Sequence, residues 1–392
     1  MNKNSLLIFI ASVAATGGLL FGFDTGVINV ALPAIREQFA LTPSQESNVV
    51  SAVLFGAMFG PFLSGFLTDI LGRKKINIIA SIVFVLGSIV AAIATSPGML
   101  IFGRLLLGLA IGIVAATVPL YLAELSPKEK RGQMVTYFQL AITLGILLSY
   151  LVGYIFEGAE NSWRLMFWAG FIPAILLLVG MFFIPESPRW LLSKGRESEA
   201  IEVLKKLRSS DDAQKELQET RDIIEEEKKN KGGWKEFFSK RLRIPLFIGV
   251  GIFAIQQFSG INAIIYYSTD IFKGMFSSSQ ATLATVGVGG IYTYIIFFAI
   301  SLGPLGWLLI SEIYPLKIRG FASSMGSFNH WIFDAMVAYS FPLMRVSSLG
   351  SNGGIFFIYM VVVLLGLFFA KFVVFETKGL SLEDIGKVYL IS

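Results

Sequence analysis

Apolar residues run continuously for roughly 18 positions or more, repeatedly along the chain, with few charges inside each run. These runs predict membrane-spanning helices at about 5–31, 47–69, 76–95, 98–123, 133–156 and 164–184. Four more follow at about 245–268, 290–313, 322–343 and 354–375. The interruptions carry turn and charge signals: "ALPAIREQF", "LGRKK", "TSPG", "SPKEKRG" and "FEGAENSW". The runs are unbroken instead of alternating, which excludes a β-barrel. Ten spans put both termini on one side.

Charge says which side. With the N-terminus inside, the inner segments hold Lys3, Arg73, Lys74, Lys75, Lys128, Lys130, Arg131, Lys317, Arg319 and the basic residues between Arg189 and Arg243. The outer loops hold only Arg36, Arg164, Lys273 and Arg345. Short basic loops resist translocation, so both termini are expected in the cytoplasm, with the spans in the lipid bilayer of the cytoplasmic membrane.

One long charged segment, "SKGRESEAIEVLKKLRSSDDAQKELQETRDIIEEEKKNKGGWKEFF", separates six spans from four. Ile201, Leu204 and Leu207, then Leu217, Ile223 and Ile224, predict short amphipathic helices within it. The expected organisation is a six-helix bundle over 1–190, a cytoplasmic linker over 191–243, a shortened bundle over 244–376 and a cytoplasmic tail over 377–392.

Composition narrows the function class. Charged residues make up 15% of the 392 residues, against about 25% in soluble domains, so the chain is an all-α membrane protein. Cysteine is absent, which removes disulfides, thiolate metal sites and cysteine nucleophiles. The first apolar run, from Ser5, has no cleavage-site pattern, and no cleavable signal is expected. The net charge of +5 follows from the inside bias and calls for no nucleic acid. There is no phosphate loop, metal constellation or nucleophile–base motif, so no enzyme, catalytic residue, metal or cofactor is expected.

The stretch "GFLTDILGRKK", Gly65 to Lys75, closes a span on the inner side. Gly65 suits close helix approach, Asp69 is expected to face the neighbouring helix N-terminus, and Gly72 turns the chain. Arg73 and Lys74 anchor at the interface. This stretch resembles the loop between spans two and three of the major facilitator superfamily. Further stretches resemble its sugar-porter family: "RLLLGLAIGIVAATVPLYLAELSPKEKRG", "PESPRWLL", "QQFSGINAIIYYS", "GPLGWLLISEIYPLKIRG" and "ETKGLSLEDI". They stand in the family's order across almost the whole chain; Phe375 replaces the proline usual before "ETKG".

The resemblance implies a major-facilitator-type fold, two helical bundles with a sugar bound between them near the midplane, working by alternating access. It implies a monomer that carries a monosaccharide, a hexose or pentose, with protons as the coupling ion. Glu124, Arg131, Glu186, Arg189, Glu312 and Arg319 then resemble charges that latch the inner face, beside Gly65, Asp69 and Arg73.

Asp24 lies inside the first span, where an ionised carboxylate is costly and usually functional. Arg104, in the fourth span, is its natural partner. A static ion pair is the plain alternative to a proton-coupling pair. By resemblance, Gln139, Gln256, Gln257 and Asn262 are expected to bind sugar hydroxyls, and Phe21, Tyr266, Trp307 and Trp331 to form aromatic walls or gates. Neutral amides with aromatic faces suit an uncharged polyol, because a charged site would lose desolvation energy for no gain. His330 stands where the family has Asn or Gln, and Asp334, four residues on, where Asn is common. They form either a polar pair inside the bundle or a second titratable pair at the sugar site.

The second half lacks the family's second basic loop. Up to about Ile291 the text resembles family span eight, and from Tyr292 or Tyr294 span ten, with Tyr292 where an asparagine ligand is expected. The expectation is about ten spans instead of twelve, with a hybrid helix from about Gly290 to Ile313, broken near Gly303–Pro304. Sugar–proton symport is the leading reading. The alternatives are a sugar sensor that does not transport, an inactive deletion product, or a facilitator without proton coupling.

Overall fold

The computed structural model describes residues 3–127, 130–229, 242–276, 281–314, 319–351 and 353–374. Every regular element among them is a helix, and they cluster into two compact units. The first unit comprises Met1–Leu41 and Ala52–Lys229; the second comprises Thr42–Ser51 and Asn230–Ser392.

The first unit contains α1 (Lys3–Phe39), most of α2 (Pro43–Leu71), α3 (Arg73–Ala92), α4 (Pro97–Leu125), α5 (Arg131–Ile155) and α6 (Ser162–Phe183). Helix α4 starts on a Ser96 cap, whose hydroxyl accepts the Met99 N–H at 3.2 Å, with Pro97 in the first turn where a missing N–H does no harm. Gly18, Gly22 and Gly26 bring α1 against α5; a Cβ on Gly22 would sit 1.9 Å from the Ile142 carbonyl oxygen.

Up to Lys229 the charged segment is helical. Helices α7 (Pro188–Ser193), α8 (Glu197–Leu207) and α9 (Ser210–Lys229) belong to the first unit. Ala200, Val203, Leu204 and Leu207 form the buried stripe of α8. Buried Arg208 then ties the segment down: Nη1 donates to the Leu125 carbonyl at 2.9 Å and Nε to Glu216 at 2.8 Å. Its own carbonyl accepts from Lys3 Nζ at 2.5 Å.

In the second unit, the run expected as one span at 245–268 is two helices, α10 (Arg243–Phe258) and α11 (Ile261–Phe276). Gly260 separates them at φ +89°, and a Cβ there would lie 2.2 Å from the Tyr359 ring. Both facts require glycine. The hybrid helix is also broken, into α12 (Ala281–Ile300) and α13 (Leu302–Glu312). The break falls at Ser301 (φ −124°, ψ −95°), just before the expected Gly303–Pro304. The new helix takes Pro304 into its first turn, where the missing N–H costs nothing. Helices α14 (Arg319–Val346), α15 (Ser348–Ser351) and α16 (Gly354–Phe372) complete the unit. Leu242, Ile248, Ile252, Phe253, Leu309, Ile313 and Tyr314 form a buried cluster within it.

Among the described residues, nine helical stretches are long and apolar enough to cross a membrane. They are α1 to α6, the pair α10–α11 counted as one, Gly289–Trp307 and α16. Helix α14 is as long as these but is interrupted by Asn329, His330 and Asp334. Helix α16 turns Phe357, Leu365, Leu367, Phe368 and Phe372 outward. Apolar side chains exposed in such density suit lipid and not water. The expected tail at 377–392 lies outside the described residues.

Candidate functional site

The second unit gathers seven expected sugar-site residues around the α10–α11 break. Adjacent amides on the last turn of α10 face two ways. Gln256 Nε2 donates to the carbonyls of Leu302 (2.6 Å) and Gly303 (3.0 Å), next to the break in the hybrid helix. Gln257 Nε2 donates to Gln256 Oε1 at 3.2 Å and meets His330 Nδ1 at 2.9 Å, while its Oε1 accepts from Asn262 Nδ2 at 2.6 Å. His330 Nδ1 also lies 3.1 Å from Gln256 Oε1. An amide-to-Nδ1 hydrogen bond leaves the proton of neutral imidazole on Nε2.

Aromatic rings wall this amide chain. His330 packs against Trp307 at 4.9 Å, Trp331 at 5.2 Å and Phe253 at 5.4 Å between centroids. Trp307 is 42% exposed, so one face of the wall is open, whereas Trp331 is buried. One turn beyond Asn262 on α11, Tyr266 donates to Asp334 Oδ2 at 3.0 Å. Position and chemistry together make a neutral, donor-and-acceptor-rich surface beside aromatic faces, suited to a polyol.

Sequence reasoning missed Tyr294 here. From the hybrid helix α12 its hydroxyl donates to the Ser259 carbonyl at 3.0 Å and meets Ser259 Oγ at 2.9 Å. The carbonyl sits where α10 ends, so the phenol occupies an acceptor left by the break. No local pattern marks this, because the partners are 35 residues apart.

The first unit holds the buried pair. Asp24 Oδ1 lies 3.8 Å from Arg104 Nη1, with both side chains almost wholly excluded from solvent. That distance is an ion contact and too long for a hydrogen bond. Asp24 Oδ2 accepts none. Arg104 therefore acts on the carboxylate through charge, an attraction that a proton can cancel without breaking a hydrogen bond between the two side chains. Phe21, half-buried on α1, and Gln139, exposed on α5, also belong to this unit.

At the α2–α3 turn the same unit builds a second charged cluster. Gly72 turns at φ +92°. Arg73 Nη2 donates to Glu124 Oε1 at 3.0 Å, with Nε 3.0 Å from Oε2. Ser187 Oγ donates to Glu124 Oε2 at 2.5 Å. The expectation for Asp69 is corrected: its side chain is exposed, and among the described residues its carbonyl is what is used, accepting from Trp190 Nε1 at 3.1 Å. Glu186 takes the place expected for Asp69. It accepts the N–H groups of Arg73 (2.9 Å), Lys74 (3.1 Å) and Ser187 (2.8 Å), which puts a carboxylate on the positive end of α3. Burial pushes its proton affinity up, and these N–H bonds oppose that. Gly65 is exposed and Arg189 half-buried. The side chains of Arg131, Glu312 and Arg319 lie outside the described set.

The family described as "Sugar (and other) transporter" matches residues 10–293 and 275–389 of this chain. The chain belongs to that family. The putative metabolite transport protein YwtG of Bacillus subtilis is 36% identical over 440 aligned positions, covering 98% of this chain and 95% of the relative. The D-xylose transporter of Levilactobacillus brevis is 35% identical, covering 96% and 94%. The galactose-proton symporter of Escherichia coli is 36% identical, covering 98% and 94%. Among solved structures, the inward-open xylose transporter XylE from E. coli superposes with a TM-score of 0.84 at 27% identity, covering 97% of this chain and 99% of that one. The sugar transporter thus has the helical major-facilitator fold expected from its motifs, in a membrane that it crosses many times. Its 392 residues are fewer than the 440 positions of the YwtG alignment. The two family matches overlap at 275–293, which reaches the seam expected near Ile291, at the start of the hybrid helix.

Proposed function

We propose that this chain is a monosaccharide–proton symporter of the cytoplasmic membrane, a monomer with both termini in the cytoplasm, operating by alternating access without a bound cofactor. The observation that carries the reading is the neutral amide chain Gln256–Gln257–Asn262 with His330, walled by Trp307 and Trp331. An uncharged pentose or hexose matches that chemistry, and relatives named for D-xylose and galactose support the substrate class. Phe21 and Gln139 are assigned to the sugar path with these residues. Proton coupling is assigned to Asp24. Protonating its carboxyl cancels the attraction to Arg104, and restoring the charge renews it, so a proton can bias the two helices that carry the pair. The Arg73–Glu124–Glu186 cluster, with Arg131, Arg189, Glu312 and Arg319, is assigned to the cytoplasmic latch.

The test is uptake of D-xylose and D-galactose into proteoliposomes with and without an inward proton gradient. The gradient should drive accumulation, and Asp24→Asn should keep sugar exchange while abolishing accumulation. Accumulation retained in that variant refutes the proton assignment. A second reading rests on the overlap of the family matches at 275–293 and the shorter chain. About two spans of the family's second bundle are then deleted, and the product binds sugar without moving it. Binding without transport in the same assay selects the sensor; neither selects the inactive product; transport indifferent to the gradient selects the facilitator.

A further inference from the structure

Two buried carboxylates among the described residues, Asp24 and Asp334, have opposite surroundings. Asp24 has a guanidinium 3.8 Å away. Asp334, 2% exposed, accepts from the Tyr266 phenol at 3.0 Å and faces the Asn262 amide, and its Oδ1 has no hydrogen-bond partner. Among the described residues it makes no ion pair.

Among the described residues, no cation on the elements packed on α14 pairs with it; the nearest along α11 is Lys273, exposed and about two turns beyond Tyr266. Helix α10 presents Gln256 and Gln257 and carries no charge after Arg243. Helix α11 presents Asn262, which donates to Gln257, then Tyr266 and Tyr267, whose hydroxyl donates to the Ala338 carbonyl at 2.8 Å. One turn outward comes Asp270, a like charge. Helix α13 carries no charge before Glu312, and α15 carries none. Within α14, His330 lies one turn back, with Nδ1 engaged by the glutamines. Arg345 lies about three turns onward, and its guanidinium is held by Asp270 at 2.5 Å and Glu46 at 3.3 Å.

An ionised carboxylate sealed from water among neutral donors, with no counter-charge, is strongly disfavoured against the neutral acid. We propose that Asp334 is a second proton-carrying carboxyl, in the same unit as the sugar cluster and separate from Asp24. The proton resides on Oδ1, and Oδ2 keeps accepting from Tyr266. Asn262 and Tyr266 share one face of α11 and His330 and Asp334 one face of α14, so the proton site and the amide chain are one helical turn apart on both. A rearrangement that wets Asp334 releases the proton, and resealing takes one up. The proton site rests on this geometry alone; its part in transport rests on the symport reading above.

Infrared difference spectroscopy of the full chain in lipid, at neutral pH, tests it. The wild type should show the carbonyl band of a protonated carboxylic acid, sensitive to deuteration. That band should be lost in Asp334→Asn and kept in Asp24→Asn. Tyr266→Phe removes the phenol hydrogen bond without touching the carboxyl, so it should shift the band and not remove it. If wild type and Asp334→Asn have the same spectrum in this region, while the variant is folded by circular dichroism, the proposal is overturned. It is also overturned if the only such band disappears with Asp24→Asn. Adding D-xylose or D-galactose should shift the Asp334 band. A band that depends on Asp334 but ignores both sugars upholds the proton site and counts against the symport reading.

Discussion

Glu186 Oε1 accepts the backbone N–H of Arg73 at 2.9 Å, the first N–H of α3. The acid comes from the turn after α6 and covers the positive end of a helix more than a hundred residues earlier. Its burial raises its proton affinity over the ordinary value of 4.5. Above that value the unfolded chain gives up its proton before the native chain does. The contribution of Glu186 to stability is therefore complete below pH 4.5 and is lost as pH rises through its folded value. Thermal unfolding in detergent, followed against pH, should show a flatter profile in Glu186→Gln than in wild type. An equal slope in both would refute the assignment.

Among the described residues, removing Arg73 leaves Glu124 with the Ser187 hydroxyl alone. Arg73→Ala should cost about 3–5 kcal/mol, because an uncompensated buried charge remains. The double variant with Glu124→Gln should recover part of that loss. A double-mutant cycle on unfolding free energy checks it, and strict additivity would show that the two side chains do not interact.

Gly260→Ala combines a left-handed backbone with a Cβ that overlaps the Tyr359 ring. Adding Tyr359→Ala should relieve the clash and leave the backbone term of about 1–2 kcal/mol. Comparing the unfolding of the single and double variants separates the two terms. If the double variant is no better than Gly260→Ala, the overlap is not what limits this position.

Tyr294→Phe keeps the ring and removes the hydroxyl that reaches Ser259. A loss of about 0.5–1.5 kcal/mol is expected, with faster hydrogen exchange at the α10–α11 break. Unchanged exchange there would mean that the phenol does not hold the break.

Much of this protein is legible without coordinates, because the signals are local. The spans follow from hydropathy, and the motif "QQFSGIN" places amides and a glycine where the second unit builds its amide chain. The break at Ser259–Gly260 is harder to read. Its residues are as apolar as their surroundings, and a positive φ leaves no mark on hydropathy. Asp69 and Glu186 show another limit. Only Asp69 stands near that turn in the sequence, but the return of the segment at 185–190 brings Glu186 to the α3 N-terminus instead.

By itself the sequence determined a helical membrane protein of the sugar transporter family, its span pattern and the residue types available to a sugar and a proton. Only the tertiary structure decided which buried acid has a counter-charge. Asp24 and Arg104 are 3.8 Å apart across two helices, whereas among the described residues Asp334 meets the neutral Tyr266 and Asn262. The energy of a buried charge depends on distance through space and exclusion of water, and neither is written in the spacing along the chain.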